Sequence, residues 1–280
     1  MYQTATEESA SALRLVSENR TFWDEACGTV LAEQMGLPDL TPASLRRFDE
    51  AYFDLYPFLL RYLPEQSSRR DRVLEIGLGY GSLSQAMMSR DAEYLGLDIA
   101  VGPAGITNLR AGILGKPPCA LVADARNLPF ETGSFDHVIS IGCLHHTGDI
   151  ARAVREVHRV LRPGGRAVVM IYNALCYKNW ILAPMETIRT LLRRQRASGS
   201  TGSLRLRRAH DRNLAGEPPP ETAFHKASDV PELFSDFSAV RTIKENCYLR
   251  LPPSFQKTRE FALRTLGRWC GLNLYITARK

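Results

Sequence analysis

The sequence predicts an α/β fold: a mostly parallel, seven-stranded sheet with helices on both faces. Three observations predict it. From Arg72 onward, short apolar runs alternate with helical or loop segments, the pattern of parallel strands joined by right-handed crossovers. The first run, Val73–Ile76, ends in glycines at alternate positions, Gly77, Gly79 and Gly81, and a helical pattern from Ser82 to Ser89 follows at once. Acidic residues, Asp98 and Asp124, close the second and third runs, at the strand ends where open α/β sheets take ligands.

Residues 1–68 read as helices and loops, an N-terminal extension or lid. Ser11 to Asn19 and Leu45 to Leu63 carry apolar residues at helical spacing. Between them Phe22 and Trp23 precede a Cys27-Gly28 turn; the aromatic pair can anchor a helix on the domain or cover the glycine corner. Strands follow at Val73–Ile76, Tyr94–Leu97, Leu121–Ala123, His137–Ile141 and Ala167–Tyr172 within a core of residues 69–173. In the second crossover Gly102, Pro103 and Gly105 should shorten or delay the helix. The clearest helix runs from Asp149, a suitable N-cap, to Leu161, with Ile150, Ala153, Val154 and Val157 on one stripe and Pro163-Gly164-Gly165 as its stop. Residues 174–226 interrupt the alternation as an arginine-rich cap insertion. Residues 227–280 return to the sheet with a helix at Ser228–Phe234, capped by Ser228, and an antiparallel pair of strands at Ala239–Glu245 and Leu272–Ala278.

Composition sets the frame. A chain of 280 residues, 44% hydrophobic and 24% charged, suits one large α/β domain with additions or two small ones. The longest apolar stretch, Ala167 to Met185, is broken by Asn173, Lys178 and Asn179, so no membrane span is expected. The first residues lack the basic and apolar regions of a signal peptide. The cysteines at 27, 119, 143, 176, 247 and 270 form no Cys-x-x-Cys pair, which points to reduced thiols in a cytoplasmic protein rather than a disulfide framework or zinc ribbon.

The glycine spacing carries the chemistry. A glycine corner between strand and helix lets a ligand approach the main chain with no Cβ in the way. Dinucleotide sites use Gly-x-Gly-x-x-Gly, whose third position here is Ser82. Gly77-x-Gly79-x-Gly81 with Glu75 two residues upstream instead resembles motif I of the class I S-adenosylmethionine-dependent methyltransferases. The rest follows in that family's order: Asp98, then Asp124 to Phe130, then Ser134 to Ser140 running into Leu144-His145-His146, then Val160-Leu-Arg-Pro-Gly-Gly165. The resemblance covers residues 72–172 and includes the ubiquinone and menaquinone biosynthesis enzymes and many natural-product methyltransferases. It implies a Rossmann-like core that binds S-adenosylmethionine and releases S-adenosylhomocysteine, with no metal. It also implies that Glu75 and the glycine turn cradle the methionine end and Asp98 holds the ribose diol. Ile99 would pack on adenine, Asp124 and Ala125 would meet its amino edge, and Ile141 would lie in the same cofactor pocket.

A methyl acceptor that must lose a proton needs a base of near-neutral pKa. His146 stands where one could act, or else belongs to the cofactor shell; Tyr172 and Asn173 are candidates for the acceptor side by fold analogy. Cys143 has no activating partner and reads as packing. The expected acceptor is a small molecule, an anionic one among the candidates, of secondary-metabolite or cofactor type. Alternatives are a pocket retained for binding or a non-methyl reaction, and RNA methylation.

Between Arg189 and Arg212 there are eight arginines and one acid, Asp211. That local excess of +7 exceeds the +6 of the whole chain, so the protein carries one basic patch. A solvated loop, a guide for an anionic small molecule, and contact with RNA or an anionic membrane surface all fit. The lack of aromatics among the arginines weighs against nucleic acid. Trp180, Ile181, Met185, Ile188, Leu191 and Leu192, at helical spacing, are expected to pack as a cap.

Overall fold

The computed structural model describes residues 2–26, 29–37, 39–64, 71–90, 92–194, 199–247 and 261–280. The expected Cys27-Gly28 turn and Arg196 lie outside them. Helices α1 (Tyr2–Ala26), α2 (Thr29–Gln34) and α3 (Pro42–Leu55) precede the sheet. The expected helix from Leu45 to Leu63 stops early: Pro57 cannot continue the ladder, and a separate 3-10 turn at Leu59–Tyr62 takes over.

The core alternates β1 (Arg72–Ile76), α4 (Ser82–Met88), β2 (Glu93–Asp98), α5 (Val101–Ile113), β3 (Ala120–Val122), β4 (Phe135–Ile141), α6 (Ile150–Val160) and β5 (Leu161–Asn173). One expectation fails here. Helix α5 starts three residues after Asp98 and is not delayed by its glycines, because Pro103 falls in the first turn, where no intrahelical N–H bond is lost.

After β5 come α7 (Tyr177–Leu182), α8 (Pro184–Leu192), β6 (Ser200–Thr201), α9 (Leu204–His210) and β7 (Ala223–His225). Then follow α10 (Val230–Leu233), β8 (Ser238–Glu245) and β9 (Asn273–Arg279). Ser228 is not the cap of its helix. A 3-10 turn, Ala227–Asp229, precedes α10, and the Asp229 carboxylate accepts from the Lys226 N–H instead.

The sheet runs β3-β2-β1-β4-β5, all parallel, and continues through β9, antiparallel to both β5 and β8. The small strands β6 and β7 were not legible as strands. Parallel β7 pairs with Tyr172 and Asn173 at the very end of β5, beyond the last β4 partner, Met170.

Alternation along the strands fills two layers. Leu74, Ile76, Val138, Val169, Ile171 and Ile276 face α6, whose Val154, Val157 and Val160 are buried with them. Val73, Ile139, Val168, Met170 and Tyr275 face the opposite layer with Phe58, Leu59, Tyr62, Leu83 and Met87. Period-2 strands between two apolar layers fix the register, and so fix which residues emerge at the C-ends of β1 to β4.

Candidate functional site

Those C-ends enclose a cavity of about 720 Å³, open solvent at its mouth included. Its floor is Gly77 and Gly79 after β1, Asp98 and Ile99 after β2, Ala123 to Arg126 after β3, and Ile141 to Cys143 after β4. Backbone conformation explains the glycines. Gly77 and Gly81 have φ of +85° and +78°, where an L side chain is strained, and a Cβ on Gly77 would lie 2.4 Å from the Cys143 Cβ. Cys143 thus packs against the turn, and burial pushes its thiol far above the ordinary range, so it is no nucleophile.

Asp98 holds the turn from below. Its carboxylate accepts from the Leu78 N–H at 2.7 Å and the Ala100 N–H at 2.9 Å. Burial raises its pKa despite these donors. Asp124 accepts from Arg126 through its guanidinium and its N–H. Burial alone would raise that carboxyl, but Arg126 outweighs it and the pKa is lowered.

Glu75 and Gly81 do not line the cavity. Glu75 is buried beneath α4, where Ser84 and Tyr94 hydroxyls donate to its Oε2 at 2.7 and 2.6 Å. Burial raises its pKa to about 7. A carboxyl that binds its proton more tightly folded than unfolded costs nothing below the unfolded pKa. Stability then falls as pH rises from there to about 7. Glu75→Gln, whose amide oxygen can accept both hydroxyls, should match wild-type stability near pH 4. Above neutrality it should exceed it by up to about 3 kcal/mol, since each tenfold difference in proton affinity is worth roughly 1.4 kcal/mol. Urea melts at the two pH values would show it.

Helix α1 closes the cavity. Val16, Asn19 and Trp23 line it, while Phe22 is buried as an anchor, so the aromatic pair divides both roles foreseen for it. Asn19 Nδ2 donates to the His146 carbonyl at 2.9 Å, Arg20 Nε to the Ile99 carbonyl at 3.2 Å, and the Gly102 N–H to Asp24. Gly148 permits the approach: a Cβ there would lie 2.4 Å from the Leu15 Cδ2.

His146 lines the cavity beside Trp23, with ring centroids 4.6 Å apart. Its Nδ1 lies 2.8 Å from the Glu221 carbonyl. A carbonyl only accepts, so this bond assigns the proton to Nδ1 and leaves the lone pair on Nε2. Nε2 is 3.6 Å from Asp211 Oδ2, and the same oxygen accepts from Tyr172 Oη at 2.7 Å. Burial lowers the His146 pKa, with Asp211 pulling it back up, so the ring is neutral at pH 7.

Tyr172 thus reaches the site through Asp211. Asn173 turns away: its Nδ2 donates to the Gly271 carbonyl and its Oδ1 accepts from the Leu175 N–H. Sequence reasoning missed Asp211 as part of the site. The available signal was its isolation as the one acid among eight arginines. Among the described residues no group of His, Cys, Asp or Glu is placed to hold a metal, and no helix is long and apolar enough to cross a membrane.

Residues 74–169, the segment that builds the floor of this cavity, match the family of the methyltransferase domain. That segment is similar to a methyltransferase domain. The tocopherol O-methyltransferase of Arabidopsis thaliana is 29% identical over 62% of this chain and 53% of its own. The ubiquinone biosynthesis O-methyltransferase of Pseudomonas aeruginosa is 30% identical over 43% and 53%. The chain spans about half the length of these curated relatives. An S-adenosylmethionine-dependent methyltransferase from Mesorhizobium loti shares the fold, with a TM-score of 0.53, 20% identity, and 81% and 98% of the two chains covered.

Proposed function

We propose that this protein transfers a methyl group from S-adenosylmethionine to a hydroxyl of a small molecule. One observation carries the reading: a single cavity is lined by the glycine turn, both acidic strand ends and a neutral histidine whose Nδ1 is held by the Glu221 carbonyl. The residues suit the donor. Gly77 and Gly79 leave the main chain open, Asp98 and Asp124 complement a cationic ligand with a diol and an amino edge, and Ile99 offers an apolar face. When bound, S-adenosylmethionine supplies an electrophilic methyl on a sulfonium. The chain's own residues then align the acceptor, exclude water and manage one proton.

Nε2 of His146 accepts the hydroxyl proton as the acceptor oxygen attacks, and the Asp211 carboxylate offsets the imidazolium charge. The base requirement favours oxygen, and two relatives whose names state O-methylation support it. Residues 174–226 act as the cap that shapes the acceptor side, placing Asp211 and Glu221 on His146. Titration calorimetry tests the donor site. The wild type should bind S-adenosylmethionine, and Asp98→Ala should bind about 10–100-fold more weakly, the worth of hydrogen bonds to a charged group. Undiminished binding by the variant would sink the assignment.

A further inference from the structure

Trp180, Ile181, Met185, Ile188, Leu191 and Leu192 of α7 and α8 do not pack as the cap interior that their spacing suggests. Ile181, Met185 and Leu192 are 73%, 62% and 78% exposed. Met185, Ile188 and Leu192 stand at i, i+3 and i+7, hence on one face, while Thr187, on the opposite side, is the buried residue of α8. Two short helices set end to end thus turn an aliphatic stripe toward solvent, larger than scattered surface leucines would make.

Arginines that adjoin or follow this stripe in the chain lack counter-charges. Among the described residues Arg189, Arg193, Arg194, Arg205 and Arg212 make no ion pair. The nearby acids are engaged elsewhere: Glu186 accepts from the Ser203 N–H, Glu217 pairs with Arg208 at 3.6 Å, and Asp211 is held by Tyr172. An aliphatic helix face bordered by unpaired arginines is the pattern of an interfacial segment on anionic lipid.

We propose that the α7–α8 face docks this protein on an anionic bilayer surface, with Ile181, Met185 and Leu192 entering the acyl boundary and the arginines lying among the headgroups. The other occupants fit less well. A second copy meeting the same face about a two-fold axis would set arginines against arginines. Single-stranded RNA would meet aliphatic side chains where it needs stacking platforms, with Trp180 the one aromatic of the stripe. The inference is independent of the methyl-transfer reading, since neither helix lines the cavity.

Co-sedimentation with vesicles tests it. The full chain should bind vesicles of phosphatidylcholine mixed with phosphatidylglycerol at low salt, and binding should fall as salt rises. Neutralising three charges in Arg189→Gln/Arg193→Gln/Arg194→Gln should weaken it about a hundredfold, from roughly 1 kcal/mol per charge. Ile181→Asp/Leu192→Asp should abolish it while the thermal midpoint stays at the wild-type value; Ile181→Ser/Leu192→Ser serves if the aspartates disturb folding. Failure to bind anionic vesicles overturns the proposal, as does equal binding to pure phosphatidylcholine. Dimerisation lost in Leu192→Asp without vesicle binding would assign the face to a second copy. Retention of RNA without vesicle binding would assign it to nucleic acid.

Discussion

His146→Gln is expected to lower the rate of methyl transfer about 10²–10⁴-fold, the range for loss of a positioned general base. S-adenosylmethionine affinity should change far less, because Gly77, Gly79, Asp98 and Asp124 line the cavity from the ends of other strands. The geometry supports this split. His146 is buried, its Nδ1 proton is fixed by the Glu221 carbonyl, and burial holds its pKa below the ordinary value. The base form is therefore present throughout the neutral range. Activity should fall only as pH drops through that depressed pKa, below the usual histidine value of about 6.5.

Asp211 supplies the readout that a merely structural histidine would not move. Its charge favours the imidazolium and raises the His146 pKa against the effect of burial. Removing that charge in Asp211→Asn should shift the acid limb to still lower pH. It should also slow the reaction, since the charge forming on the ring loses its partner. Tyr172→Phe deletes one donor to the same carboxylate but leaves its charge, so the limb should move little. Transfer of a labelled methyl group to a panel of phenolic acceptors, followed across pH, measures all three variants. An unchanged rate in His146→Gln would restrict this histidine to the cavity wall.

The legible parts of this molecule are the local ones. Gly77, Gly79 and Gly81 announce a turn of positive φ, Asp149 caps α6 through its bond to the Arg152 N–H, and alternation along β1 to β5 gives the two-layered core. Each is decided by residues a few positions apart. Parts set by distant residues were not legible. Pro103 reads as a breaker until its place in the first turn is known. The aliphatic stripe of α8 has the spacing of a buried face, and spacing cannot tell which surface such a face meets. Asp211 comes to His146 only because the chain returns past β5 through α9 and β7, and a two-residue pairing such as β6–β7 leaves almost no periodic trace. Ser82 counts against a dinucleotide in the sequence, and the structure adds a structural use for it: its hydroxyl donates to Asp49 at 2.6 Å.

That contact belongs to the other substitution of large expected effect. Arg110 on α5 is 1% exposed, and its guanidinium forms two bonds with the Asp49 carboxylate on α3, at 2.8 and 2.9 Å. Its Nε also donates to the Tyr80 carbonyl at 2.9 Å, inside the glycine turn. One buried cation thus ties the N-terminal extension, the turn and α5 together, between partners 61 residues apart in sequence. Arg110→Met should cost about 3 kcal/mol in a urea melt, because it strands the half-buried Asp49 charge and the Tyr80 carbonyl. Arg110→Met/Asp49→Leu should recover much of that loss, since removing both charges ends the desolvation penalty. Recovery of S-adenosylmethionine binding should be smaller. The Tyr80 carbonyl remains unpaired in the double variant, and with it the brace that sets the turn. A Cβ on Gly81 would lie 2.8 Å from the Arg110 Cδ, so the turn is shaped around this side chain. Stability restored without affinity would separate what the arginine does for the fold from what it does for the donor site.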